Sequence, residues 1–247
     1  MIDSFVLLAP VLLLAVIALL QFVGCELIFP LDFTEPVKFE QAVAAINPDQ
    51  TAAVSVTLNG VKNGDFLVAI VTGHLGGASA NLVSVGDSGN TWTPTATSPA
   101  TLGNSLRTSI FWAINNQPTG NRTITATFDQ VLPADSYEII VAEYSGVASP
   151  DPVDVAFPNA SGNSANPQSG SAMNKAGTTI IFGGSHFSDS LATWNGTAGN
   201  FILRGSSIVS ALYDWINANA GPNQAPNAGN ALSAIDEWAA LAVSVKR

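Results

Sequence analysis

The side chains with the means to do chemistry are few, and their spacing ties few of them together. Two histidines, His74 and His186, each stand near glycines at the end of an apolar run. With no cysteine beside either and no H-x-H pair, they do not have the pattern of a zinc site or of a positioned general base. Asp87-Ser88-Gly89-Asn90 gathers oxygens that calcium accepts, with Asp129 and Asp189 as distant acids, but no dense run of Asp supplies the remaining ligands of a calcium shell. The stretch reads instead as a hairpin turn, with Asp87 accepting from nearby backbone N–H groups and Gly89 supplying a positive φ.

Nucleophile and carboxylate chemistry meet the same difficulty. Gly184-Ser185-His186 is not the G-x-S-x-G elbow of a serine hydrolase. Glu138, Glu143, Asp214 and Glu237 fall on or beside β-type runs, yet nothing in their spacing pairs two of them as a glycosidase would. No catalytic residue, metal ligand or cofactor is therefore assigned, and a non-enzyme is expected. Among the tryptophans, Trp112 and Trp238 lie inside apolar runs and read as core, whereas Trp92 and Trp194 lie in or beside turns and are the candidates for surface binding by stacking on a sugar.

One cysteine remains, and its position matters more than its count. Cys25 ends the run LLAPVLLLAVIALLQFVGC, within which Phe5 to Gly24 carries no charge. A helix of that length spans about 30 Å, the hydrocarbon thickness of a bilayer. Met1 to Ser4 contains Asp3 and no basic residue, and the run is long for the apolar region of a secretory signal, so a retained single-span anchor is expected. FVGC also resembles a bacterial lipobox with Phe22 where Leu is usual, which makes Cys25 the candidate for lipidation and keeps the lipoprotein and cleaved-signal alternatives open. Almost no basic residue flanks the span to set its orientation. The character of the body sets the expectation instead: an acidic domain rich in Thr, Asn and Gly, placed on the extracytoplasmic side, periplasmic or at the cell surface.

The body must be held by β structure. Charged residues make up 11% of the chain, the net charge is −10, and the eight Lys and Arg are scattered, so no basic patch is present to neutralise phosphates and no nucleic-acid partner is expected. β-type runs recur at Ala53–Leu58, Phe66–Val71, Leu82–Val85, Ser109–Ile114, Thr123–Phe128, Glu138–Tyr144, Thr178–Phe182, Phe201–Arg204, Val209–Trp215 and Ala239–Val245, separated by turn signals such as Asn63-Gly64-Asp65. They predict a mainly β fold, a two-sheet antiparallel β-sandwich of jelly-roll-like connection preceded by one transmembrane α-helix. The expected division is an anchor over 1–30, a linker and first edge segment over 31–50, and the sandwich over 51–247. Pro158 to Lys175 and Asn217 to Ala231 lack bulky apolar residues and are expected to be surface loops.

The succession GDFLVAIVTG, VSVGDSGNTWTP, SIFWAINN, NRTITATFD and YEIIVAEYSGV resembles a β-sandwich module of bacterial extracellular and phage-associated proteins. The resemblance spans about residues 52 to 247 and implies a jelly-roll-like fold with no catalytic residue. Joined to the apolar segment, it leads to the expectation of a non-catalytic accessory or structural subunit of a larger membrane assembly, photosynthetic and respiratory complexes being among the hosts it would fit. Its partners would be membrane lipid and the other subunits. The alternatives are a surface-displayed glycan-binding module and a virion or filament coat protein.

Overall fold

The computed structural model describes residues 36–47, 50–74, 80–103, 106–131, 133–172, 178–186, 192–194, 201–216 and 232–247. The expected anchor, Cys25 and the loop from Asn217 to Ala231 lie outside them, and among the described residues no helix is long and apolar enough to cross a membrane. The compact body runs from Glu35 to Arg247.

Continuous apolar runs and alternating ones sort the strands into layers. Phe66–His74 (β3), Leu106–Ile114 (β7) and Tyr137–Ser145 (β9) are buried along most of their length and form the middle of a central antiparallel sheet. Lys38–Ile46 (β1) flanks β9, giving the order β1-β9-β3-β7-β5, with Thr93–Pro94 (β5) at the far edge and Ala100–Leu102 (β6) also on β7. Ala53–Val61 (β2), Gly120–Phe128 (β8) and Leu82–Gly86 (β4) alternate instead, and form a three-stranded sheet in the order β2-β8-β4. Val54, Val56, Leu58, Ile124 and Ala126 point inward from it, while Ser55–Thr125 and Thr57–Thr123 pair their hydroxyls at 2.8 and 2.9 Å on the solvent side.

The third sheet takes the remaining strands: Val153–Ala156 (β10), Ala160–Ser164 (β11), Thr179–His186 (β12), Ile202–Ser206 (β13), Ser210–Ile216 (β14) and Asp236–Val245 (β15). Its order is β10-β15-β12-β14-β13, with β11 also pairing β15. The described strands thus form three antiparallel sheets, one more than the sequence suggests. Even-numbered residues of the central sheet, among them Phe66, Val68, Ile70, Ile140 and Tyr144, pack with Ile181, Leu212, Leu241 and Val243 of the third sheet. Odd-numbered ones, including Leu67, Ala69, Val71, Ile139 and Val141, pack with the three-stranded sheet. A third cluster, around Phe157, Phe201, Tyr213 and Trp238, covers the other face of β14 and β15.

Two segments differ from expectation. The stretch expected to be linker and first edge contains β1, a nine-residue strand hydrogen-bonded to β9 from Lys38 opposite Ser145 to Ile46 opposite Glu138. Within the expected loop Pro158 to Lys175, Ala160–Ser164 is a strand on β15. Its lack of bulky side chains has a packing cause: a Cβ on Gly162 would lie 2.9 Å from the Trp238 ring, which lies across this strand, and the Trp238 indole N–H donates to Ser164 Oγ at 3.0 Å.

The central and third sheets approach closely at two glycines, Gly183 and Gly205, most closely at the first. A Cβ on Gly183 would stand 2.6 Å from Cδ1 of Ile70 and within 3.3 Å of two further atoms of the same side chain, which is fully buried. Gly183→Val should therefore overpack the interface and destabilise the fold by about 1–3 kcal/mol. Urea unfolding of the two proteins measures this, and an unchanged midpoint would refute the close approach.

Candidate functional site

The short motifs of the sequence meet at one end of the central sheet. The turn between β2 and β3 is tied to the end of β7: Gly64, at φ +89°, donates its N–H to the Asn115 carbonyl at 2.8 Å, and Asn115 N–H returns to the Asp65 carbonyl at 2.8 Å. The Asn115 amide donates to the Lys62 carbonyl at 2.7 Å, and its Oδ1 accepts from the Asn90 amide at 3.2 Å. Asp87 takes the Asn90 backbone N–H at 2.9 Å, the Asn90 amide at 2.7 Å and the Trp92 indole N–H at 3.3 Å. Its oxygens are thereby occupied as the turn reading requires, and Gly89 has the positive φ, +150°. The stretch is not a hairpin, however. It crosses from β4 in the three-stranded sheet to β5 in the central one, so its bonds hold two layers together.

At the heart of this end lies a pair of buried acids. Glu143 of β9 is 2% exposed and Asp65, just before β3, is 7% exposed. Glu143 accepts from the Gln41 amide and, at 3.3 Å, from Lys62 N–H. Asp65 Oδ2 is buried with no acceptor-type bond of its own, and a protonated Asp65 is placed to hydrogen-bond to Glu143. Glycoside hydrolysis needs two carboxyl groups set apart, with room for the sugar or a water between them. Here the two are in contact, sealed by Gln41 and the Lys62 backbone, and the arrangement works as a proton-holding clasp between strands.

Burial, followed by the hydrogen bond and the charge of Glu143, pushes the Asp65 carboxyl up to about 7. An acid whose affinity for its proton is raised on folding stabilises the folded state while protonated. That contribution is fully present below the ordinary Asp range and is lost as pH rises through about 7. The thermal midpoint of the protein should accordingly be higher at pH 5.5 than at pH 8, within the window set by the raised carboxyl of Asp65. Asp65→Asn, which keeps a donor toward Glu143, should flatten this dependence, and an equally steep pH profile in that variant would refute the clasp.

A second buried cluster joins the central and third sheets. Asp214 of β14 is fully buried and receives Arg204 Nε–H at 2.9 Å, and the guanidinium lies 4.5 Å from the centre of the Phe39 ring. Burial raises the Asp214 carboxyl, while Arg204 and the Tyr144 hydroxyl oppose the shift. Nearby, Glu138 of β9 is 1% exposed and accepts Val209 N–H at 3.0 and 3.3 Å through its two oxygens. Burial raises its carboxyl too, against bonds from Ser210, Val209 and Ser207. Removing one partner of a buried pair leaves the other charge uncompensated, so Arg204→Ala should cost about 3–5 kcal/mol in chemical unfolding. A loss below about 1 kcal/mol, the range of an exposed ion pair, would show that Asp214 is solvated or neutral.

The remaining sequence candidates are spread through the molecule. Trp92 and Trp194 are both half-buried rather than exposed: Trp92 packs on the core beneath the three-stranded sheet and bonds Asp87, and Trp194 meets Tyr213 edge-on with ring centres 5.9 Å apart. They lie in separate clusters, so the structure does not bring them together as one sugar platform. His74 ends β3 and His186 ends β12, in different sheets. Glu237 is exposed on β15, and Asp189, like Cys25, lies outside the described residues. Among the described residues no three of His, Cys, Asp and Glu gather to hold a metal ion.

Sequence reasoning missed Gln41, Asp65, Asn115 and Arg204 as members of clusters. Asp65 and Asn115 stood inside motifs already singled out, and a carboxylate or amide at the mouth of an apolar strand is the signal that marks them. Compared with protein families, characterised proteins and solved structures, the chain matches none.

Proposed function

We propose that the protein is a non-catalytic, single-span membrane protein whose β domain stands on the extracytoplasmic side and packs as an accessory or structural subunit within a larger membrane assembly. The observation that carries this reading is Phe5 to Gly24, uncharged throughout and, as a helix, about as long as a bilayer's hydrocarbon core is thick. The body supports it in another way. Asp65 is engaged with Glu143, Glu138 with the Val209 amide and Asp214 with Arg204, so these carboxylates serve the cohesion of the layers rather than a reaction. An acidic domain with paired hydroxyls on its outer face is suited to standing in water beside a membrane.

Membranes from cells making the full chain should retain it through an alkaline carbonate wash and release it in mild detergent. Intact mass spectrometry of the released material should find Met1 present and Cys25 unmodified, with companion subunits co-purifying at fixed stoichiometry. A diacylglycerol-bearing Cys25 as the new N-terminus would sink the spanning anchor. A monodisperse monomer without companions would sink the subunit reading.

A further inference from the structure

The central sheet is five strands wide along its hydrogen-bonded path, whereas the sheet covering its odd-numbered face has three. β2 packs over β1 and β9, so the cover runs out before β7, and side chains of β7 on that face are left beside a notch of about 240 Å³. This is the end of the sheet opposite the Asp65 clasp, where β3 finishes and β7 begins. Val71, Leu82, Phe111 and Phe128 give the notch apolar walls, and Arg107 and Ser109 bring polar groups to it. Arg107 is paired across the strands with Gly73, which has no side chain to occupy the space.

The guanidinium is held but not saturated. Its Nη1 donates to the Ala80 carbonyl at 3.3 Å and to Asn81 Oδ1, while its Nε–H is buried without an acceptor. The exposed carboxylate of Asp129 feels the Arg107 charge, yet it is bound to Asn81 through the backbone N–H at 2.7 Å and the side-chain amide at 2.8 Å. Asp129 and Arg107 form no ion pair among the described residues. Arg107 thus lines the notch with no carboxylate paired to it among the described residues, and the partner a guanidinium takes best is a carboxylate. Behind it the walls call for hydrocarbon. The room is sufficient, because an apolar cavity of about 150 Å³ already admits benzene.

From this we propose that the notch is a binding site for a small monocarboxylate with an apolar body of about ring size. The carboxylate meets the accessible part of the Arg107 guanidinium and the Ser109 hydroxyl, and the hydrocarbon lies among Leu82, Phe111 and Phe128. The site is independent of the membrane-subunit reading, since it rests on the β domain alone.

The test uses the full chain in lipid nanodiscs, with benzoate as the probe, benzamide as its neutral isostere, and empty nanodiscs to subtract partition into lipid. Calorimetric titration should find saturable benzoate binding at least about tenfold tighter than benzamide. Arg107→Gln should lower benzoate affinity about tenfold or more while leaving benzamide within about threefold, and Ser109→Leu should fill the notch and abolish both. Thermal unfolding of each variant checks that it is folded. Should Arg107→Gln fail that check, the wild-type preference for benzoate over benzamide and the Ser109→Leu result decide alone. No saturable benzoate binding up to about 10 mM, equal affinity for benzamide, or benzoate binding unchanged in Ser109→Leu would each overturn the proposal.

Discussion

A sheet buried on both faces leaves no room for water to satisfy its backbone or for a charge to go unpaired, and that constraint governs the rest of this molecule. The central sheet has apolar side chains above and below, so FLVAIV of β3 and IIVA of β9 are unbroken apolar sequence and need a covering layer on each side. Both flanking sheets follow from this need. The buried carboxyl groups are each set against a partner: Asp214 with Arg204, Glu138 with the Val209 amide, and Asp65 with Glu143. Each of these matches also ties one strand or layer to another.

The polar end of the sheet shows how short motifs work in such a fold. Asn115 binds the β2–β3 turn to β7, Asn90 binds that assembly to the crossing from β4, and Asp87 fixes the crossing with Trp92. None of the participating side chains is reactive alone. Together they tie two surface turns to the end of β7 and so join the three-stranded sheet to the central one.

All ten apolar runs expected as strands are strands, because continuous burial and one-sided burial leave different marks on sequence: FLVAIV against the alternation of RTITATF. The strand β1 was not legible, since KFEQAVAAI is half-buried along its length and has neither mark. β11 was hidden for the opposite reason: the indole of Trp238 excludes the large side chains by which a strand is recognised. The layer count was also beyond reach, because an apolar run states that both faces are covered without stating by what. In the candidate clusters, Glu138, Glu143 and Asp214 were visible as carboxylates on strands, but their partners come from strands distant in sequence, and Trp92 and Trp194 sit by turns yet turn their rings toward cores.

The pairing of β1 with β9 has a bearing on how the chain is made. Lys38 lies opposite Ser145, and β3 likewise takes β9 as one neighbour, so the first of the described strands has no full set of hydrogen-bonding partners until Ser145 has followed it. Local hairpins cannot substitute, and non-local pairing of this kind is slow. A chain with this order of strands can close its middle layer only after more than half of it has been made.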